Sequence, residues 1–300
     1  MVLTVGVDLA AQDRNTALCV VRWHGREARV LEARRGISDE AILDAAERAA
    51  DEHGGGGERA ERAADGGAYA VGIDAPFGWP VAFERAIAAW TGGEPWPEPR
   101  SPVAAERDEQ SRTLRLRLTD RWVARETGRV PLSVSTDLIG ICAMRAAALL
   151  SAAAMRGDGS TGVAGAGESG MGVAGVGVAA AGARSLSRVH GPWFEVYPAA
   201  ARWRWELPTA NDKRDGALRE ARLATLEARV AEVGATLSLS AETRERCVAS
   251  DDVLDALLCA FVARAAQLRR THAPPSDPAG TIAREGWIHV PTGGVGDLFT

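Results

Sequence analysis

Lysine is almost missing from this chain: arginine supplies every basic residue except Lys213. With alanine and glycine also abundant, that usage reads as composition bias, so the number of arginines carries no argument of its own. The net charge of −5 leaves no molecule-wide positive field to draw a polyanion. Cysteine is scarce too. Cys19, Cys142, Cys247 and Cys259 are scattered and form no CxxC pair, which excludes a zinc ribbon and a disulfide framework. The five histidines do not cluster, so a metal site here has to be built from oxygen, which favours Mg²⁺ or Mn²⁺ over zinc. No apolar run reaches the ~20 residues of a membrane span, and the start of the chain has neither the basic region nor the cleavage site of a signal peptide. A cytoplasmic protein without a membrane partner is the expectation.

What is present is an ordinary globular composition, 46% hydrophobic and 25% charged. Residues 2–9, 16–23 and 28–34 alternate or run apolar between short polar breaks, which predicts a three-strand meander. Ser38 caps a helix through about Asp51, and a glycine-rich break at 54–67 leads into a strand ending at Asp74. Residues 77–102, rich in Trp and Pro, read as a long ordered loop of the kind that serves as a lid. Helical patterns follow at 106–127 and 137–155, so that 77–155 forms a Trp/Pro-rich and helical insertion. Residues 156–187 are low-complexity Gly, Ala, Val and Ser and read as a flexible insertion. Trp193–Tyr197 is a fifth strand closed by Pro198, and helices at 212–233 and 250–270 fill out a C-terminal portion over 191–300. One α/β domain over 1–300 accommodates all of this. The tract contains GxGxxG matches at Gly165 and Gly170, but neither follows a strand or opens a helix, as a dinucleotide site requires.

The chemistry lies in the acids. Val2–Asp8 and Tyr69–Asp74 both end on an aspartate, at the carboxyl end of a strand, where open α/β sheets place their ligand sites. If the two strands are neighbours, the carboxylates at ~4 Å repel by about 4 kcal/mol at an effective dielectric of ~20, and a bound cation or a trapped proton has to offset that. Taken singly, each has a plainer explanation, an aspartate accepting backbone N–H bonds in the following turn. A third acid, Asp255, sits in the second turn of a helix capped by Ser250, amid continuous apolar residues. A buried charge needs a partner or a metal. Asp251 and Asp252 suit the first turn of that helix electrostatically, and spacing alone does not choose which of them shares a face with Asp255.

The β-β-β-α-β order with acids on strands one and four, plus a C-terminal helix carrying Asp252-Val253-Leu254-Asp255-Ala256-Leu257, resembles the ribonuclease H-like fold and is similar to the corresponding helix of its Holliday-junction resolvases. Five segments together resemble domain-of-unknown-function family 429, described as predicted nucleases of that fold: Gly6-Val7-Asp8-Leu9-Ala10, Ile73-Asp74-Ala75-Pro76, Arg117-Leu118-Thr119-Asp120, Glu195-Val196-Tyr197-Pro198-Ala199 and Glu285-Gly286-Trp287-Ile288. The resemblance implies a mixed β-sheet flanked by helices, one or two Mg²⁺ or Mn²⁺ ions, and phosphodiester hydrolysis of nucleic acid. It assigns the metal to Asp8, Asp74 and Asp255, with Asp252 as a fourth catalytic acid. Glu195 and Asp120 are further candidate acids, although strand alternation also allows Glu195 to face outward. Arg117, Arg121, Arg125 and Arg129 recur every four residues and would contact phosphates if they lie on one helix face; a plain solvated face is the alternative. Lys213 is a further phosphate-contact candidate. Two other functions compete: phosphoryl transfer from ATP, as in the actin-like relatives, and non-catalytic nucleic-acid binding. The first is disfavoured by the absence of glycine in the Ala10–Thr16 hairpin.

Overall fold

Alternating apolar residues build three antiparallel strands at the start of the chain. In the computed structural model, which describes residues 1–52, 69–96, 103–156, 186–209 and 215–299, these are β1 (Val2–Asp8), β2 (Ala17–His24) and β3 (Glu27–Arg35). The turn between β2 and β3 places Gly25 at φ +55°, a conformation that glycine adopts without steric cost. Ser38 Oγ accepts the Ala41 N–H at 3.3 Å and starts α1 (Asp39–Asp51), which buries Ile42, Leu43, Ala46 and Ala49. The next strand, β4 (Tyr69–Asp74), pairs in parallel with β1. The strand-strand-strand-helix-strand run expected from the sequence is therefore present. Lys213, the Gly165 and Gly170 matches and the break at 54–67 lie outside the described residues.

The middle of the chain departs from expectation. The supposed loop at 77–102 contains α2 (Val81–Thr91): Pro80 stands just before its first turn, and no proline falls inside it. The single helix expected over 106–127 is two, α3 (Ala104–Arg115) and α4 (Leu118–Thr127), because Arg117 is extended at the join and its side chain turns inward. Then come α5 (Gly140–Arg156), β5 (Trp193–Val196) and α6 (Pro198–Arg204). Pro198 ends the strand as expected and also opens α6, at the helix position where its missing N–H costs nothing. The C-terminal part holds α7 (Gly216–Ala231), β6 (Thr236–Ser238), α8 (Ala241–Ala249), α9 (Asp251–Gln267), α10 (Thr281–Glu285) and β7 (Ile288–His289). β6, α8, α10 and β7 are too short to show a period in the sequence.

The strands form one seven-stranded mixed sheet in the order β6-β3-β2-β1-β4-β5-β7, with β2 alone running against the rest. Alternation sorts the side chains of its centre between two cores. Leu3, Val5, Val7, Val71 and Ile73 pack with α1 and α5, while Ala17, Cys19, Val21 and Ala70 pack with α9. Every residue of α9 except Asp252 is buried. This explains why apolar residues surround that helix in the sequence: it runs through the interior between the sheet and the C-terminal elements. Among the described residues no helix is long and apolar enough to cross a membrane.

Candidate functional site

Asp8 and Asp74 are register partners on the adjacent parallel strands β1 and β4, and each is half-buried. Parallel strands lie about 4.8 Å apart, so the two carboxylates start from neighbouring backbone positions and project to the same face. Two residues back along the same face lie Gly6 and Gly72, again register partners. A Cβ at Gly6 would run into the Ala256 carbonyl oxygen and the Ala260 amide nitrogen, and one at Gly72 would lie 2.5 Å from the Cys259 carbonyl oxygen. The backbone of α9 thus rests directly on the glycine pair. Asp255, one turn before Cys259, is brought to the carboxyl ends of β1 and β4.

Three neighbouring groups register the resulting negative field. Burial pushes the Cys259 thiol well up, and Asp74, Asp8 and Asp255 push it further. Cys142, on α5, is raised by burial and then by Asp74 and Asp8, with Arg145 opposing. The Tyr197 phenol, just past β5, is raised by burial and then by Asp74, with Arg202 and Arg129 opposing. Both shifts favour the protonated thiol, the less nucleophilic form.

Each strand-end acid is followed by an anchored loop. Arg145 holds the one after β1, donating to the Ala10 carbonyl at 2.8 Å, Thr16 Oγ1 at 2.7 Å and Asp13 at 2.6 Å, while its Nε binds Asp39 on α1 at 2.6 Å. After β4, the Phe77 N–H donates to Glu195 Oε2 at 3.0 Å.

The helix acids all have arginine partners. Asp255 is paired with Arg202 of α6, Asp252 with Arg35 at the end of β3 at 2.8 Å, and Asp251 with Arg222 of α7 at 3.1 Å. The partner that a buried Asp255 requires is thus an arginine. Among the described residues no three His, Cys, Asp or Glu side chains close on a point that could hold a metal ion. Asp8 and Asp74 supply hard carboxylate oxygens in register, a donor set that fits Mg²⁺ or Mn²⁺. Asp255, on the helix packed over them, has its carboxylate engaged by Arg202.

The remaining candidates lie elsewhere. Glu195 is on the opposite sheet face from Asp74, beside Trp193, and is buried rather than outward-facing. Arg117, expected to contact phosphates, is 2% exposed and has spent all five donors: on Asp120 at 3.0 and 2.8 Å, on Glu195 at 2.8 and 2.6 Å, and on the Glu285 carbonyl at 3.1 Å. Asp120 also accepts the Arg117 backbone N–H, so it too is committed to this cluster. Burial pushes Glu195 up even so, with Arg117 opposing. The arginine stripe is not one helix face, because α4 covers only part of it: Arg117 caps the helix, Arg121 reaches Glu109, and Arg129 lies beyond Gly128. Sequence reading passed over Arg202, Tyr197 and Arg145. The one available signal was indirect, a buried Asp255 that needed a cation.

A family model described as "Protein of unknown function (DUF429)" matches residues 6–280, a span that holds Asp8, Asp74, Arg202 and Asp255. No curated protein and no solved structure matches the chain. With nearly its whole length matched, the chain belongs to the DUF429 family, proteins of unknown function.

Proposed function

We propose that this protein is a divalent-metal-dependent phosphodiesterase acting on nucleic acid, built on a ribonuclease H-like sheet. The observation that carries the reading is the register of Asp8 with Asp74 beneath the helix that brings Asp255. A β3-β2-β1-β4-β5 order with only β2 reversed supports the fold assignment. Asp8 and Asp74 would hold Mg²⁺ or Mn²⁺, with Asp255 as the third acid. Such an ion, when bound, supplies Lewis-acid polarisation of a phosphoryl oxygen and an activated water. The protein's own contribution is positional. Arg145 fixes the loop beyond Asp8, Glu195 fixes the loop beyond Asp74, and the glycine pair sets the depth of α9. Exposed Arg129, just past Gly128 at the end of α4, is a candidate contact for the phosphate chain.

The test is Mn²⁺ and Mg²⁺ calorimetry together with cleavage assays on single-stranded, duplex and branched substrates. Cleavage should depend on the ion and fall at least about a hundredfold in Asp8→Asn and Asp74→Asn, the loss expected when several kcal/mol of charge stabilisation go. A wild-type protein that binds neither ion overturns the reading.

A further inference from the structure

We propose that Arg202 is a phosphate ligand held in reserve: it neutralises Asp255 while the site is without metal, and passes to a substrate phosphate when a divalent ion takes that carboxylate. The inference rests on the metal-dependent reading above and assigns a substrate-binding residue to it. Three observations lead there. First, Asp255 lies within electrostatic reach of Cys259 together with Asp8 and Asp74, yet its carboxylate is bonded to Arg202. A buried carboxylate keeps its charge only beside a cation, and arginine and a divalent ion are alternatives for that place. Second, Arg202 comes from α6, which begins directly after Tyr197, and its side chain keeps partial exposure where it meets Asp255, so a ligand can reach it.

Third, a second guanidinium acts on the same carboxylate. Arg222 is repelled by Arg202 and attracted by both Asp251 and Asp255, and it is held in place by Asp251 and by the Pro208 carbonyl at 2.9 Å. An ion arriving at Asp255 removes the partner of Arg202 and adds a repelling charge in one step. An anionic oxygen on that ion restores balance, and a guanidinium is shaped to bind phosphate oxygens in pairs. Metal and phosphate then bind cooperatively, each tightening the other by the same factor.

The experiment is Mn²⁺ titration by calorimetry of the full chain, wild type against Arg202→Gln and Arg202→Lys, with and without a phosphorothioate oligonucleotide that resists cleavage. Without oligonucleotide, Arg202→Gln should bind Mn²⁺ about fivefold tighter or more, because the guanidinium bonded to Asp255 no longer competes with the ion, and Arg202→Lys should stay near wild type. The oligonucleotide should tighten Mn²⁺ binding in the wild type and fail to do so in Arg202→Gln. An Arg202→Gln affinity equal to or weaker than wild type overturns the proposal and leaves the nuclease reading standing, whereas absence of Mn²⁺ binding in the wild type overturns both. If Arg202→Gln loses its fold, added Mn²⁺ should restore it by taking the same carboxylate. Failure of the ion to do so also overturns the proposal.

Discussion

Arg117 and His289 show how a buried polar residue can be structural. The guanidinium of Arg117 joins the ends of α4, β5 and α10 by filling every donor it has, so its loss would leave Glu195 and Asp120 as uncompensated charges. His289 on β7 is satisfied in its neutral form, with Nε2 at 3.0 Å from the Val189 carbonyl and Nδ1 at 2.9 Å from Thr271 Oγ1. Burial pushes it down to about 4. A base whose folded value is depressed binds fewer protons folded than unfolded between that value and its ordinary one. Stability from this residue is therefore complete above its ordinary range and lost as pH falls towards the folded value. Glu195 and Glu285, raised by burial, act in the opposite sense, since acidification favours their protonated folded form. Comparison with His289→Gln isolates the histidine: on going from about pH 7 to about pH 4.5 the wild type should lose about 2 kcal/mol more than the variant in urea unfolding. Asp8, Asp74 and Asp255 were legible in the sequence because each breaks a local rule, an acid closing an apolar strand or buried in an apolar helix. Arg202 broke none. Its significance comes from a partner on a distant helix, in a chain where arginine is common.

At the scale of elements, contact between α9 and the sheet depends on two missing side chains. Gly6→Ala would drive a methyl group into the helix backbone, which no rotamer change relieves. The expected cost is about 3 kcal/mol in equilibrium unfolding, the upper part of the range for overpacking, because the obstacle is main chain. On the proposed metal-dependent reading, the same variant should also weaken Mn²⁺ binding, since lifting α9 shifts Asp255 relative to β1 and β4. Long periodic elements were readable from sequence: β1 to β4, α1, α5, α7 and α9 fall where alternation or helical spacing put them. The break between α3 and α4 was not, because a buried ion cluster, rather than a proline or glycine, ends the first helix. Nor was α2, whose helical segment is hidden between proline-rich flanks.

For the molecule as a whole, the last residues complete the core. Trp287, Val290, Val295, Leu298 and Phe299 are all buried, and Phe299 packs on Trp23 at 5.4 Å between ring centroids. Burying each such side chain contributes about 1.5–3 kcal/mol, and their sum rivals the 5–15 kcal/mol that holds a typical domain together. A chain ending at Glu285 should therefore show no cooperative thermal transition by circular dichroism, and retention of one at the wild-type temperature would refute this account. The order of strands was less legible than the strands themselves, because adjacency of β1 and β4 is a long-range fact that no local pattern encodes; only the family resemblance pointed to it. The glycine seat of α9 also bears on motion. Main chain against main chain has no side-chain rotamers to exchange, so the helix beneath the acids has a single resting position. Rearrangement among the acids then has to come from side chains, the long guanidinium arm of Arg202 included, rather than from the scaffold.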